Sequence, residues 1–105
     1  QDQWQTIFLL RHLVGGMNLQ EAIDAPSFHT EHFPESFFPR KATPGKLVLE
    51  SRFEETIIRE LEERGHRVQV GTDWSEGRMC AVSQKDGLFK AAANPRGMQG
   101  YAVGR

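Results

Sequence analysis

Three groups of residues in this chain could do chemistry. His29, Glu31 and His32 bring two imidazoles and a carboxylate into one short stretch, the donor types that zinc and its neighbours take. Their spacing fits no established zinc pattern: it is not His-Glu-x-x-His, and no second ligand cluster follows. The favoured reading of the region is an extended arm whose aromatics cover a neighbouring surface, with its polar residues facing water. Asp73 and Glu76 could form a carboxylate pair for acid–base work, but they lie in a glycine-flanked loop that fixes no geometry. Cys80 is the only cysteine, so no internal disulfide can form. As a nucleophile it would need a base or an activating cation, and neither stands beside it in the sequence. It reads instead as a buried small hydrophobe. Nothing fits G-x-G-x-x-G or a P-loop.

Helices and strands must position these groups. Residues 3–14 read as a helix, with Trp4, Ile7, Phe8, Leu10, Leu13 and Val14 at helical spacing, and Leu9 widening the stripe. So wide a stripe predicts burial on more than one side. Asp2 is its expected N-cap and Gly15-Gly16 its end. Asn18 and Glu21 form a capping-box pair for a second, short helix that Pro26 stops. Residues 27–45 hold Phe28, Phe33, Phe37 and Phe38 among Pro34, Pro39 and Pro44. A loop this long calls for internal order, so short strands are expected around 27–29 and 36–38. Residues 46–50 read as a strand. Ser51 and Glu54 look like a capping box for a helix carrying Phe53, Ile57, Ile58 and Leu61, with Glu55–Arg59 and Glu60–Arg64 as i, i+4 pairs and Gly65 as its C′ residue. Residues 68–70 form a strand. Residues 78–84 and 88–92 form a hairpin with Asp86-Gly87 in its turn. Both hairpin faces are small or apolar at several positions, which predicts an inner sheet layer covered on both sides. The glycine-rich tail after Asn94 either packs in extended form or frays.

Composition bounds the answer. The 105 residues fit one domain. Thirteen basic against fourteen acidic residues leave a net charge of −1, which gives no electrostatic footprint for nucleic acid or an anionic membrane. No apolar run approaches the roughly 18 residues of a membrane span. The first residues lack both a signal-peptide pattern and an initiator Met, as expected of a processed or truncated chain. Nothing in the sequence addresses the compartment.

Four stretches resemble one family, in the family's order. Gly16-Met17-Asn18-Leu19-Gln20-Glu21-Ala22-Ile23-Asp24-Ala25-Pro26-Ser27-Phe28-His29 resembles the "GM-x-x-x-EAI-x-AP-R-x-H" segment of the γ-glutamyltransferase (γ-glutamyltranspeptidase) family. Leu61-Glu62-Glu63-Arg64-Gly65-His66-Arg67-Val68 resembles its "L-x-x-RGH-x-V" helix end. Gly77-Arg78-Met79-Cys80-Ala81-Val82 resembles its "G-x-x-x-AV" strand. Ala91-Ala92-Ala93-Asn94-Pro95-Arg96-Gly97 resembles its "AADPR" tail, with Asn94 where Asp is usual. The resemblance implies an α+β chain, the C-terminal part of the small subunit in an N-terminal-nucleophile hydrolase αββα sandwich. It implies that the catalytic Thr and an oxyanion-binding Gly-Gly pair lie upstream of residue 1. No catalytic, metal or cofactor residue is then expected within the chain. Gln1 or Gln3 could line the edge of a substrate pocket, although caps or solvated side chains are the commoner role. The implied partners are the upstream part of the same protein and a γ-glutamyl small molecule, with no nucleic acid and no membrane. The expected behaviour alone is inactivity and, through an uncovered apolar face, homo-oligomerisation. Two other classes remain open: a non-catalytic structural or interaction module, and a small metal-binding domain using His29, Glu31 and His32.

Overall fold

The computed structural model describes residues 1–98 and 100–104; Gln99 and Arg105, within the tail, lie outside the described residues. The chain gathers into two units, Gln1–Ala25 with Gly77–Arg105, and Pro26–Glu76.

The first unit opens on helix α1, Asp2–Leu9, which runs without a break into a π-helical turn, Leu10–Val14. The expected cap is displaced by one residue. The Gln5 N–H already bonds to Gln1 O at 3.2 Å, so Gln1 holds the cap position and Asp2 sits in the first turn. There its charge complements the helix N-terminus. The π turn closes with Gly15 N–H on Leu10 O at 2.9 Å. The predicted burial on several sides is not met. Phe8 is buried, whereas Leu9, Leu10, Leu13 and Val14 are exposed, because the described residues of this unit cover one face of the helix.

Helix α2, Leu19–Asp24, starts on the predicted capping box. Glu21 N–H donates to Asn18 Oδ1 at 3.0 Å, and Asn18 N–H to Glu21 Oε2 at 2.8 Å. Leu19, Ala22 and Ile23 fall at i, i+3 and i+4 and are buried. Ala25 turns extended at ψ 146°, as the residue before Pro26 must. Strands β4, Cys80–Lys85, and β5, Leu88–Ala93, form the predicted hairpin. (β1 to β3 belong to the second unit.) Asp86 and Gly87 both take positive φ, 52° and 78°, the signature of a type I′ turn.

Antiparallel register puts Ala81 opposite Ala92, and this face, with Met79, packs on Phe8, Leu19, Ala22 and Ile23. The opposite face carries Cys80, Val82, Phe89 and Ala91, all exposed. One face of the hairpin is therefore dry within the chain, not two. Gly77 begins this return segment at φ +80°, where an added Cβ would lie 3.0 Å from the Trp4 ring, so both conformation and space require glycine.

In the second unit β2, Lys46–Leu49, is the central strand. It pairs antiparallel with β1, Phe28–Thr30, and parallel with β3, Arg67–Val70. Leu47, Val48 and Leu49 are all buried, as expected of a strand dry on both faces. Helix α3, Glu55–Glu63, is the crossover between the parallel strands. It begins three residues later than the Ser51–Glu54 box predicts. Ser51 is drawn away, its hydroxyl donating to Asp73 Oδ1 at 2.5 Å, and Glu54 becomes the cap residue. The end is as predicted. Gly65, at φ 92°, donates to Glu62 O at 2.9 Å, and His66 N–H donates to Leu61 O at 3.1 Å, a Schellman closure. Glu55–Arg59 and Glu60–Arg64 approach to 3.9 and 3.6 Å.

The arm between β1 and β2 holds turns where a strand was expected at 36–38. Arg40 N–H bonds to Phe37 O at 2.7 Å and Glu35 N–H to Lys41 O at 2.9 Å, and the flanking Pro34 and Pro39 bring no donor to a ladder. Phe33, Phe37 and Phe38 are exposed rather than laid on a surface of this unit.

Candidate functional site

The densest convergence of ionisable groups lies in the second unit, around Glu50. Period-2 alternation carries the strand's inward positions one residue past Leu49, so Glu50 enters the interior and is 0 % exposed. A buried carboxylate must be paired and hydrogen-bonded, and this one is. Its Oε2 accepts from Ser27 N–H at 2.9 Å and from the Arg52 guanidinium at 2.7 Å; its Oε1 accepts from Glu76 N–H at 3.1 Å. One side chain thus joins the residue before β1 to the end of the 71–76 loop. Arg52 is itself fixed by Nε on Asp73 O at 2.6 Å and by stacking 3.5 Å over the Trp74 ring.

Glu76, anchored through its backbone, turns its buried side chain onto His29 Nδ1 in a short contact. A carboxylate accepts, so Nδ1 carries the proton. The other ring nitrogen, Nε2, lies 3.6 Å from Glu31 Oε1, and that oxygen accepts from Lys46 Nζ at 2.9 Å. The Lys46 hydrogen bond, reinforced by the charges of Lys46 and His29, outweighs partial burial and holds Glu31 below the usual carboxylate range. A histidine oriented by a carboxylate is the arrangement a general base uses. Here the second nitrogen faces another carboxylate, so the row Glu76–His29–Glu31–Lys46 works as an ion-pair lattice that fixes β1 against the loop.

The residues singled out from sequence are sorted by this geometry. His29 and Glu31 come together; His32 does not join them. Its Nδ1 accepts from Gly45 N–H at 3.0 Å and its ring meets Phe33 edge-on. Among the described residues, no group of three or more His, Cys, Asp or Glu side chains is placed to hold a metal ion. Asp73 and Glu76 part company, Asp73 going to Ser51 and Glu76 to His29. Cys80 is exposed rather than buried, because it lies on the uncovered face of the hairpin. Gln1 and Gln3 are exposed on the first turn of α1.

Arg96, in the first unit, is buried and caps α2. Its Nη1 donates to Ile23 O at 2.7 Å and its Nη2 to Ala25 O at 3.1 Å. Asn94, also buried, accepts from Arg96 N–H at 2.5 Å through Oδ1, a bond that the amide supplies without a charge. Glu50 was missed in the sequence. The available signal was a charged residue continuing the inward phase of the apolar run Leu47–Leu49 in the central strand.

The mixed α+β architecture is a segment of the N-terminal-nucleophile hydrolase fold. A γ-glutamyltranspeptidase from Pseudomonas nitroreducens, complexed with L-DON, superposes with a TM-score of 0.72 over 97% of this chain and 49% of that one, at 16% identity. The chain belongs to the γ-glutamyltranspeptidase family, which it matches over residues 1–104. It is similar to the solved structure of LmbA2991HD, with a TM-score of 0.94 and 54% identity over 100% of this chain and 19% of that one. It is 33% identical to the oxamate amidohydrolase proenzyme of Klebsiella pneumoniae over 99% of its own length. The chain spans 19% of that relative. No helix among the described residues is long and apolar enough to cross a membrane.

Proposed function

We propose that this chain is the C-terminal part of the small subunit of an enzyme that transfers or hydrolyses γ-glutamyl groups. The observation that carries the reading is the family match over residues 1–104 in a chain that spans only 19% of a relative. In the whole protein, the hydroxyl of an N-terminal Thr attacks the γ-glutamyl amide, with its own α-amino group as base. The acyl-enzyme then passes its acyl group to water or to an amino acid. The residues described above are scaffold to that reaction. Glu50, Arg52, His29, Glu76 and Arg96 engage one another or the backbone. The relative named for oxamate acts on a different acyl group, and an amide bond is common to both names.

The isolated chain is then inactive and self-associates through the exposed faces of α1 and the hairpin. The test is p-nitroaniline release from γ-glutamyl-p-nitroanilide, by the chain alone and mixed with the upstream part, with size-exclusion chromatography on the same samples. Silence alone and activity on mixing is the expected result. Activity of the chain alone would sink the reading and point to Cys80. Silence in a folded, associated mixture would favour a non-catalytic structural module. A sharp monomer peak for the isolated chain would refute the self-association.

A further inference from the structure

The hairpin face that packs on α2 does not end with the core. Two-residue periodicity and the register carry it from Ala81–Ala92 to Ser83–Lys90 and then to Lys85–Leu88 at the turn. The first pair is in the dry core; the next two flank a groove of about 800 Å³ that opens between the hairpin end and the start of α2. This volume falls within the range of small-molecule sites. Its floor includes Leu19, buried in the core, and its apolar lining adds Leu88 from the hairpin and Met17 from the segment before α2.

Its helix side is braced. His12 lines the groove with Nδ1 held 2.8 Å from Met17 O and its ring stacked on Phe8 at 6.0 Å between centroids. Lys85 and Lys90 line it too, against one carboxylate, Asp86 on the turn. Among the described residues neither lysine has an ion-pair partner, whereas Lys46 is paired with Glu31. An apolar floor beneath two ammonium groups that outnumber the single carboxylate has a definite complement: an anion with an apolar body.

We propose that this groove binds a small organic carboxylate, its apolar part on Leu19 and Leu88 and its charge between Lys85 and Lys90. This inference does not rest on the γ-glutamyl reading. Benzoate is the probe and benzamide its uncharged counterpart.

The experiment uses the whole protein that carries residues 1–105. Acetylation of each lysine by a water-soluble ester is followed by mass spectrometry, with exposed Lys41 as the internal reference. Benzoate at about ten times its Kd should slow acetylation of Lys85 and Lys90 by about tenfold relative to Lys41, saturably. Benzamide should not, and Lys90→Gln should abolish the protection of Lys85. Equal protection by benzamide would reduce the groove to an apolar cleft and overturn the proposal. So would unsaturable protection, protection surviving in Lys90→Gln, no protection by benzoate, or lysines that fail to react because the groove is covered in the whole protein.

Discussion

The two units solve the same problem in opposite ways. The first builds an apolar core from Phe8, Leu19, Ala22, Ile23 and Ala92, and leaves a second apolar face, with Val82 and Phe89, in water. The second has a central strand dry on both sides and closes its end with charge: Glu50, Arg52, His29, Glu76, Glu31 and Lys46. Apolar packing is non-directional and tolerates a missing partner at the cost of solubility. A buried carboxylate tolerates no missing partner at all. The first unit therefore leaves one face of its sheet uncovered, whereas the second closes the end of its central strand with charge and leaves its exposed aromatics, Phe33, Phe37 and Phe38, on the arm. The comparison also separates fragility: the charged unit concentrates its stability in few atoms.

Glu50→Ala is the sharpest way to break this comparison. It would strand the Ser27 and Glu76 N–H groups and leave Arg52 without its carboxylate, and removal of one partner from a buried pair costs about 3–5 kcal/mol. Hydrogen exchange of the β2 and β3 amides should accelerate by the corresponding factor while the hairpin amides keep their protection. Glu50→Gln keeps an acceptor and should lose less. If Glu50→Ala cost no more than a surface substitution, the charge network would be incidental to the unit's stability.

Arg96 is the nearest counterpart in the apolar unit. Its guanidinium makes two charge-assisted bonds to the Ile23 and Ala25 carbonyls. Arg96→Met should cost about 1.5–3 kcal/mol, the range for hydrogen bonds to a charged group. Arg96→Lys should recover only part of it, because a point charge lacks the planar fork that reaches both carbonyls. Chemical denaturation followed by Trp fluorescence reads both. Full rescue by Lys would make charge at the end of α2, rather than fork geometry, the operative feature.

Much of this architecture was legible because it is local. The Asn18–Glu21 box, the Gly65 Schellman end and the Asp86-Gly87 turn are each decided within a few residues, and they formed where the sequence put them. The Ser51–Glu54 box has the same local pattern and failed, because Asp73, far along the chain, captured Ser51. The ion-pair lattice was illegible for the same reason. Glu76 lies 47 residues from His29, and no periodicity connects them. Of the candidate site residues, His29 and Glu31 are grouped by the sequence and do meet, but His32 does not join them, and Glu76 meets His29 rather than Asp73. The metal pairing of His29 with His32 and the carboxylate pairing of Asp73 with Glu76 both followed sequence proximity, which the sheet overrode. The wide apolar stripe of α1 was read correctly as a pattern, but a pattern records what a face can bury, not whether its cover lies within the same residues.

The smallest expected effect tests the outer end of the lattice. Glu31 is held below the usual carboxylate range chiefly by its hydrogen bond from Lys46. Its folded-state pKa therefore lies below its unfolded one. The stability it contributes is fully present above the ordinary Glu value of about 4.3 and is lost as pH falls through the lower folded value. Lys46→Met should move the Glu31 titration, followed by carboxyl NMR shifts, upward toward the ordinary range and flatten the acid limb of the unfolding midpoint against pH. The side chain is 36% exposed and solvent screens the pair, so the change in midpoint should be small beside that of Glu50→Ala. A Glu31 titration unmoved by Lys46→Met would transfer the effect to His29, the only other group acting on it in the same sense. The lattice would then end at the histidine, and Lys46 would be a solvated neighbour rather than its last member.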